Sequence, residues 1–123
     1  MDIVVSAIAL KIFVDNVLDW SGATQVDLVA HSQGALAARS YVRFFGGETK
    51  VSKLVSLAGP NTGTDSIPFA GPVFEAFDAT CEEVVPCVQM QTGSDYITSL
   101  NADDMTPGNI DYYAFYTNND EFV

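Results

Sequence analysis

Ala30-His31-Ser32-Gln33-Gly34 sets a serine between two small residues, where the apolar run Val26-Asp27-Leu28-Val29-Ala30 gives way to a helix-patterned stretch. A serine hydroxyl is a weak nucleophile at neutral pH. It becomes an effective one where a sharp strand-to-helix turn exposes it and a base reaches its proton at about 3 Å. Such an elbow wants small residues two before and two after the serine, because its backbone is strained and larger side chains collide with it. Ala30 and Gly34 fill those places. The commoner pattern has glycine at both, so Ala30 departs from it by one methyl. The plain alternative is a serine in an ordinary loop, and what separates the two is a strand before and a helix after.

His31 is the only histidine. Beside the nucleophile it is a tempting base, but adjacent residues on a sharp turn point in different directions. The preferred reading is a packing and hydrogen-bonding residue under the elbow.

The elements that must position Ser32 follow from periodicity. Ile3, Ala7, Leu10, Val14, Val17 and Leu18 fall at helical spacing, with Lys11 and Asp15 off the stripe, and the helix ends near Trp20-Ser21-Gly22. Residues 26–30 read as a short buried strand with Asp27 at its start. Residues 34–45 read as a helix with Ala38, Tyr41, Val42 and Phe45 on one apolar face and Arg39 and Arg43 on another, stopped by Gly46-Gly47. Residues 51–58 form a second strand, and Gly59-Pro60-Asn61-Thr62-Gly63-Thr64 is loop chemistry. Residues 67–109 are mixed, with a helix over about 94–101 opened by Ser94. Tyr112 to Tyr116 is an aromatic third strand ending in the polar turn Thr117-Asn118-Asn119-Asp120. Alternating strands and helices predict an α/β fold, a parallel sheet with flanking helices. Working residues then sit past the carboxyl ends of strands, where both Ser32 and Asp120 fall.

Composition narrows the class. A hydrophobic content of 48% in 123 residues suffices for one packed domain or part of one. Five basic against sixteen acidic residues, a net charge of −11, argue against nucleic-acid binding. One histidine and two cysteines cannot fill a four-ligand zinc site, so no metal is expected. The apolar start, Met1 to Val14, carries Asp2 where a signal peptide is positive. It is also too short for a membrane span of about 20 apolar residues.

Two longer stretches carry a resemblance. VDLVAHSQGALAARSYVRFFGGETKVSKLVSLAGPNTGT is similar to the nucleophile strand, helix and next strand of the α/β-hydrolase lipases, particularly the secreted bacterial class 2 triacylglycerol lipases and esterases. LNADDMTPGNIDYYAFYTNNDEFV resembles their approach to the acid residue. The likeness runs from about Ile12 to Val123; Ala35 stands where a glycine is common.

The resemblance implies a carboxylic-ester hydrolase of lipase or esterase type, with no cofactor, acting on an ester or lipid substrate and exported from the cell. Ser32 matches the nucleophile, the Gln33 N–H the oxyanion donor, and Asp120 the acid that orients the histidine, ahead of Glu121, Asp111, Asp103 and Asp104. Residues 59–109 would shape the substrate mouth, with Phe69, Val73, Phe74 and Phe77 lining it or simply filling core. In an exported enzyme Cys81 and Cys87 would pair, reduced thiols being the alternative. The family's histidine follows the acid, and its other oxyanion donor precedes the elbow helix. Neither is found here, so residues 1–123 are expected to be a partial α/β-hydrolase domain, inactive alone. Two readings compete: an acyltransferase on the same fold, and a non-catalytic hydrolase-like binding module.

Overall fold

A computed structural model of the chain describes residues 2–65 and 80–117. Helix α1 (Ile3–Ser21) is capped at both ends. The Asp2 carboxylate accepts from the Val4 N–H at 2.7 Å, and Gly22, at φ 72°, donates to the Leu18 carbonyl. Its expected stripe packs: Ile3, Ala7 and Val14 are buried, with Leu10 and Leu18 beside them. Then follow β1 (Val26–His31), α2 (Gln33–Phe44), a 3-10 turn at Gly47–Thr49 and β2 (Val51–Leu57). After a 3-10 turn at Cys81–Glu83 come α3 (Val85–Met90), α4 (Asp95–Leu100) and β3 (Asp111–Phe115).

The sheet order is β1-β2-β3, and both pairings are parallel. Register aligns Leu28, Leu54 and Tyr112 across the three strands, and likewise Ala30, Ser56 and Ala114. That face meets α2. The core joins Ala7 and Val14 of α1, Ala38, Tyr41 and Val42 of α2, and Val51 and Leu54 of β2. A second cluster sets Leu36 and Ala37 against Ile3, Ile97 and Leu100. The alternate residues Val29 and Tyr113 lie on the other face and are exposed.

Two elements differ from expectation. Helix α2 is buried from Ala35 through Val42 without a break, so Arg39, placed off the apolar face by periodicity, is only 7% exposed. Its neighbours are the sheet, α1, α4 and the segments after β2 and α4, which periodicity within one helix does not register. Helix α3 was not anticipated. Pro86 sits in its first turn, where a missing N–H costs nothing, so this proline starts a helix rather than bending a loop. The Cys81–Cys87 disulfide, Cα atoms 5.4 Å apart, ties α3 to the turn before it. Closing so short a loop stabilises by about 2 kcal/mol at most.

Asp2 also joins α1 to α3. Gln89 Nε2 donates to its carboxylate at 2.9 Å, and the Ile3 N–H donates to Gln89 Oε1 at 2.9 Å. The Gln89 hydrogen bond, then that from Val4, holds the carboxyl below its usual pKa. A depressed carboxylate contributes its stability above the unfolded pKa and loses it as pH falls through the folded one. We expect Asp2→Ala to cost about 1 kcal/mol near neutral pH, as N-cap losses do. The difference should shrink as pH falls through the depressed pKa; denaturant melts of both proteins at neutral and at acid pH measure it.

Candidate functional site

Ser32 lies between β1 and α2 with φ 53° and ψ −130°, in the left-handed half of backbone space that side chains disfavour. A non-glycine residue held there costs about 1–3 kcal/mol and persists only where its surroundings over-determine it. The determinants are visible. On the strand side the Ser32 N–H donates to the Leu57 carbonyl at 2.9 Å, prolonging the β1–β2 pairing. On the helix side the Ser32 carbonyl accepts from the Ala35 N–H at 2.9 Å. Although Ser32 is the N-cap of α2, its side chain makes no capping bond, so the hydroxyl is not spent on the helix. Gln33 is the first helical residue, where backbone N–H groups lack intrahelical acceptors and the dipole is positive. A cavity of about 250 Å³ opens there, lined by Ser6, Gln33, Gly34 and Ala37.

One residue further along the strand ends, the Ala58 N–H donates to the Phe115 carbonyl at 2.8 Å, with Ala58 itself at φ 45°. The tips of β1, β2 and β3 are thus linked in series. Gly59 follows, wedged against the helix. An added Cβ would overlap Ser56 Oγ and lie 2.7 Å from the Ala35 Cβ.

Arg39 reaches this loop from α2. Its Nη1 donates to the Asn61 carbonyl (3.0 Å), and its Nη2 to Asn101 Oδ1 (2.7 Å) and the Met105 carbonyl (3.5 Å). Asn101 Nδ2 donates to the same Asn61 carbonyl at 2.9 Å, and Asn61 Nδ2 to Ser56 Oγ at 3.3 Å. Among the described residues no carboxylate pairs with Arg39, and burial pushes its pKa down. Tyr112 stands nearby, its hydroxyl donating to the Pro107 carbonyl and its pKa pushed up to about 12, chiefly by burial. Arg39, Ser56, Asn61 and Tyr112 share a second, mostly apolar cavity of about 340 Å³.

The structure brings Ala30, Ser32, Gln33 and Gly34 together at one strand tip. His31 ends β1 on the face opposite Ala30 and is exposed, so it does not pack under the turn. A Cβ at Gly34 would meet nothing within 4 Å, so among the described residues the steric demand falls on Gly59 instead. Cys81 and Cys87 are paired. Asp120 and Glu121, and Phe69, Val73, Phe74 and Phe77, lie outside the described residues; Asp103, Asp104 and Asp111 are exposed. Sequence reasoning missed Gly59, Asn61 and Asn101, whose partners are long-range. Among the described residues no group of three or more His, Cys, Asp or Glu could hold a metal, and no helix is long and apolar enough to cross a membrane.

A strained serine between a parallel strand and a buried helix defines an α/β-hydrolase fold. That fold is shared with the crystal structure of mature Bacillus licheniformis lipase BlEst2, at TM-score 0.70 and 17% identity over 93% of this chain. The chain spans 47% of that lipase, about half its length. Residues 5–122 match the palmitoyl protein thioesterase family, and the chain belongs to it.

Gly59→Ala is the sharpest test of the loop packing. We expect a loss of about 1–3 kcal/mol, typical of overpacking against a fixed helix. Gly34→Ala should change stability far less, and denaturant midpoints of the two variants compare them directly.

Proposed function

We propose that the protein is a serine hydrolase of acyl esters, of the lipase or esterase kind, working through an acyl-enzyme. The observation that carries this is Ser32, held at φ 53° with its hydroxyl left out of the helix cap. Ser32 Oγ attacks the ester carbonyl while a histidine other than His31 takes its proton. Asp120 orients that imidazole and stabilises its charge. The Gln33 N–H, at the positive end of α2, donates to the oxyanion beside a second N–H donor. The tetrahedral intermediate collapses, the alcohol or thiol leaves with the histidine's proton, and water then hydrolyses the acyl-enzyme. The family's description points to an S-acyl ester and the bacterial lipase to an O-acyl ester; one acyl-enzyme route serves both.

The resemblance to secreted class 2 lipases and the Cys81–Cys87 bridge support export to an oxidising compartment. The acidic balance supports a substrate that is not nucleic acid. Phe69, Val73, Phe74 and Phe77 remain the proposed acyl-contacting residues.

The test is Ser32→Ala in the full-length protein, assayed with a short-chain nitrophenyl ester and with an acyl thioester. Losing the nucleophile disables the triad as a unit, so activity on the preferred ester should fall by several orders of magnitude with folding intact. Retention of more than about a tenth of the turnover would mean a loss of less than about 1.4 kcal/mol, and Ser32 would not be the nucleophile.

A further inference from the structure

Arg39 is a costly residue to keep where it is. It is 7% exposed, and among the described residues its guanidinium donates to neutral oxygens, those of Asn61, Asn101 and Met105. An unpaired buried cation is expensive, and an apolar side chain of similar length would fill the same space more cheaply. Packing therefore does not account for it, whereas its partners do.

The Asn61 carbonyl accepts from both Arg39 and Asn101, so the loop after β2 is clamped between α2 and the end of α4. The Asn61 N–H donates to the Gly59 carbonyl at 2.7 Å, and its side chain to Ser56 Oγ. Gly59 has no room to move toward Ala35. Immediately before it, Leu57 and Ala58 carry the two backbone bonds that tie Ser32 to β2 and β2 to the end of β3. Arg43 reinforces the far side, donating to the carbonyls of Ala102 and Asp104.

We infer that Arg39 is a positioning residue for the Ser32 reaction: acting through Asn61, it fixes the Ala58–Gly59 turn that sets the place of the nucleophile relative to the tips of β2 and β3. The inference rests on the hydrolase reading above and adds to it the device that keeps the strand tips around Ser32 in register. Small misplacements of reacting groups cost large factors in rate, so the effect belongs in turnover rather than in substrate affinity.

The experiment uses the full-length protein with Arg39→Met, Arg39→Lys, Asn101→Ala and Ser32→Ala. It reads kcat and KM on a nitrophenyl ester, the rate of serine labelling by a fluorophosphonate, and the unfolding midpoint. Arg39→Met should lower kcat by about tenfold or more with KM changed by less than about twofold, and labelling should slow in parallel. Arg39→Lys, which keeps one donor, should recover part of the loss. Asn101→Ala should act in the same direction, less strongly, and its effect should not add to that of Arg39→Met. A lower midpoint with kcat and labelling unchanged would mean that Arg39 only stabilises the fold, and the inference would be wrong. Should Arg39→Met not fold, Asn101→Ala decides: reduced kcat at constant KM supports the clamp, and unchanged kcat overturns it. An active Ser32→Ala sinks the hydrolase reading itself. An inactive Ser32→Ala beside an unaffected Arg39→Met sinks the positioning role alone.

Discussion

Two backbone hydrogen bonds at the carboxyl edge of the sheet govern the rest of this structure. The Ser32 N–H bonds to the Leu57 carbonyl, and the Ala58 N–H to the Phe115 carbonyl, so three strand tips are joined side by side. Parallel pairing fixes the register of each strand to its neighbour, but it leaves the chain to turn sharply at each tip. Both residues at these turns, Ser32 and Ala58, take positive φ without being glycine. Neither conformation is stable by itself. Each is held because ladder bonds on one side and packed elements on the other leave no relaxed alternative. Strain at the strand tips and rigidity of the sheet are therefore one fact.

Helix α2 supplies the rigidity on the other side. Small residues, Ala35, Ala37, Ala38 and Ser40, let the sheet, α1 and α4 close on it from several directions. Among its buried polar groups the Tyr41 hydroxyl has no partner among the described residues, whereas Ser40 does. Ser40 Oγ and the Tyr96 hydroxyl share a 2.6 Å hydrogen bond, and the Tyr96 hydroxyl also donates to the Leu36 carbonyl. A helix that cannot shift along its axis keeps its first N–H groups, and the serine before them, at a constant place relative to the strands. That constancy is what the proposed oxyanion site requires, since its donors must already stand where charge develops.

Much of this was legible from spacing. Helical periodicity gave α1 and α2 within one or two residues, Ser94 opened α4 by accepting from the Ile97 N–H, and the three strands fell where alternation and aromatic runs put them. Local signals sufficed because each of those segments is long enough to repeat its pattern or carries its own cap. Helix α3 has only six residues, too few to express a period, and a disulfide stands beside it in place of an amphipathic face. Arg39 looked like a surface residue because its three acceptors come from positions 61, 101 and 105, far away in sequence. Gly59 looked like a turn former, yet what it provides is close approach to Ser56 and Ala35. The small residue at position 34 was assigned a steric duty that the described neighbours do not impose. In each case the missing information was tertiary: which distant backbone comes near.

Charge carries the argument from the fold to the kind of surface a substrate meets. All five basic side chains are engaged inside the molecule. Lys11 and Lys50 share Asp15 at 2.7 and 2.6 Å, Lys53 meets Asp27, Arg43 holds the loop after α4, and Arg39 is buried. Exposed pairs of this sort add little stability, but among the described residues they leave no exposed lysine without a carboxylate partner. The surplus of eleven negative charges instead repels anionic interfaces over roughly a Debye length, about 8 Å at physiological salt. For the proposed acyl-ester hydrolase, recognition through the acyl chain and the carbonyl fits this charge balance. The first N–H groups of α2, which lack intrahelical acceptors, are the donors available to a carbonyl at the tip of β1. In that proposal electrostatics serves the chemistry at Ser32 through the positive end of α2 and not the capture of the ligand, which suits an uncharged ester.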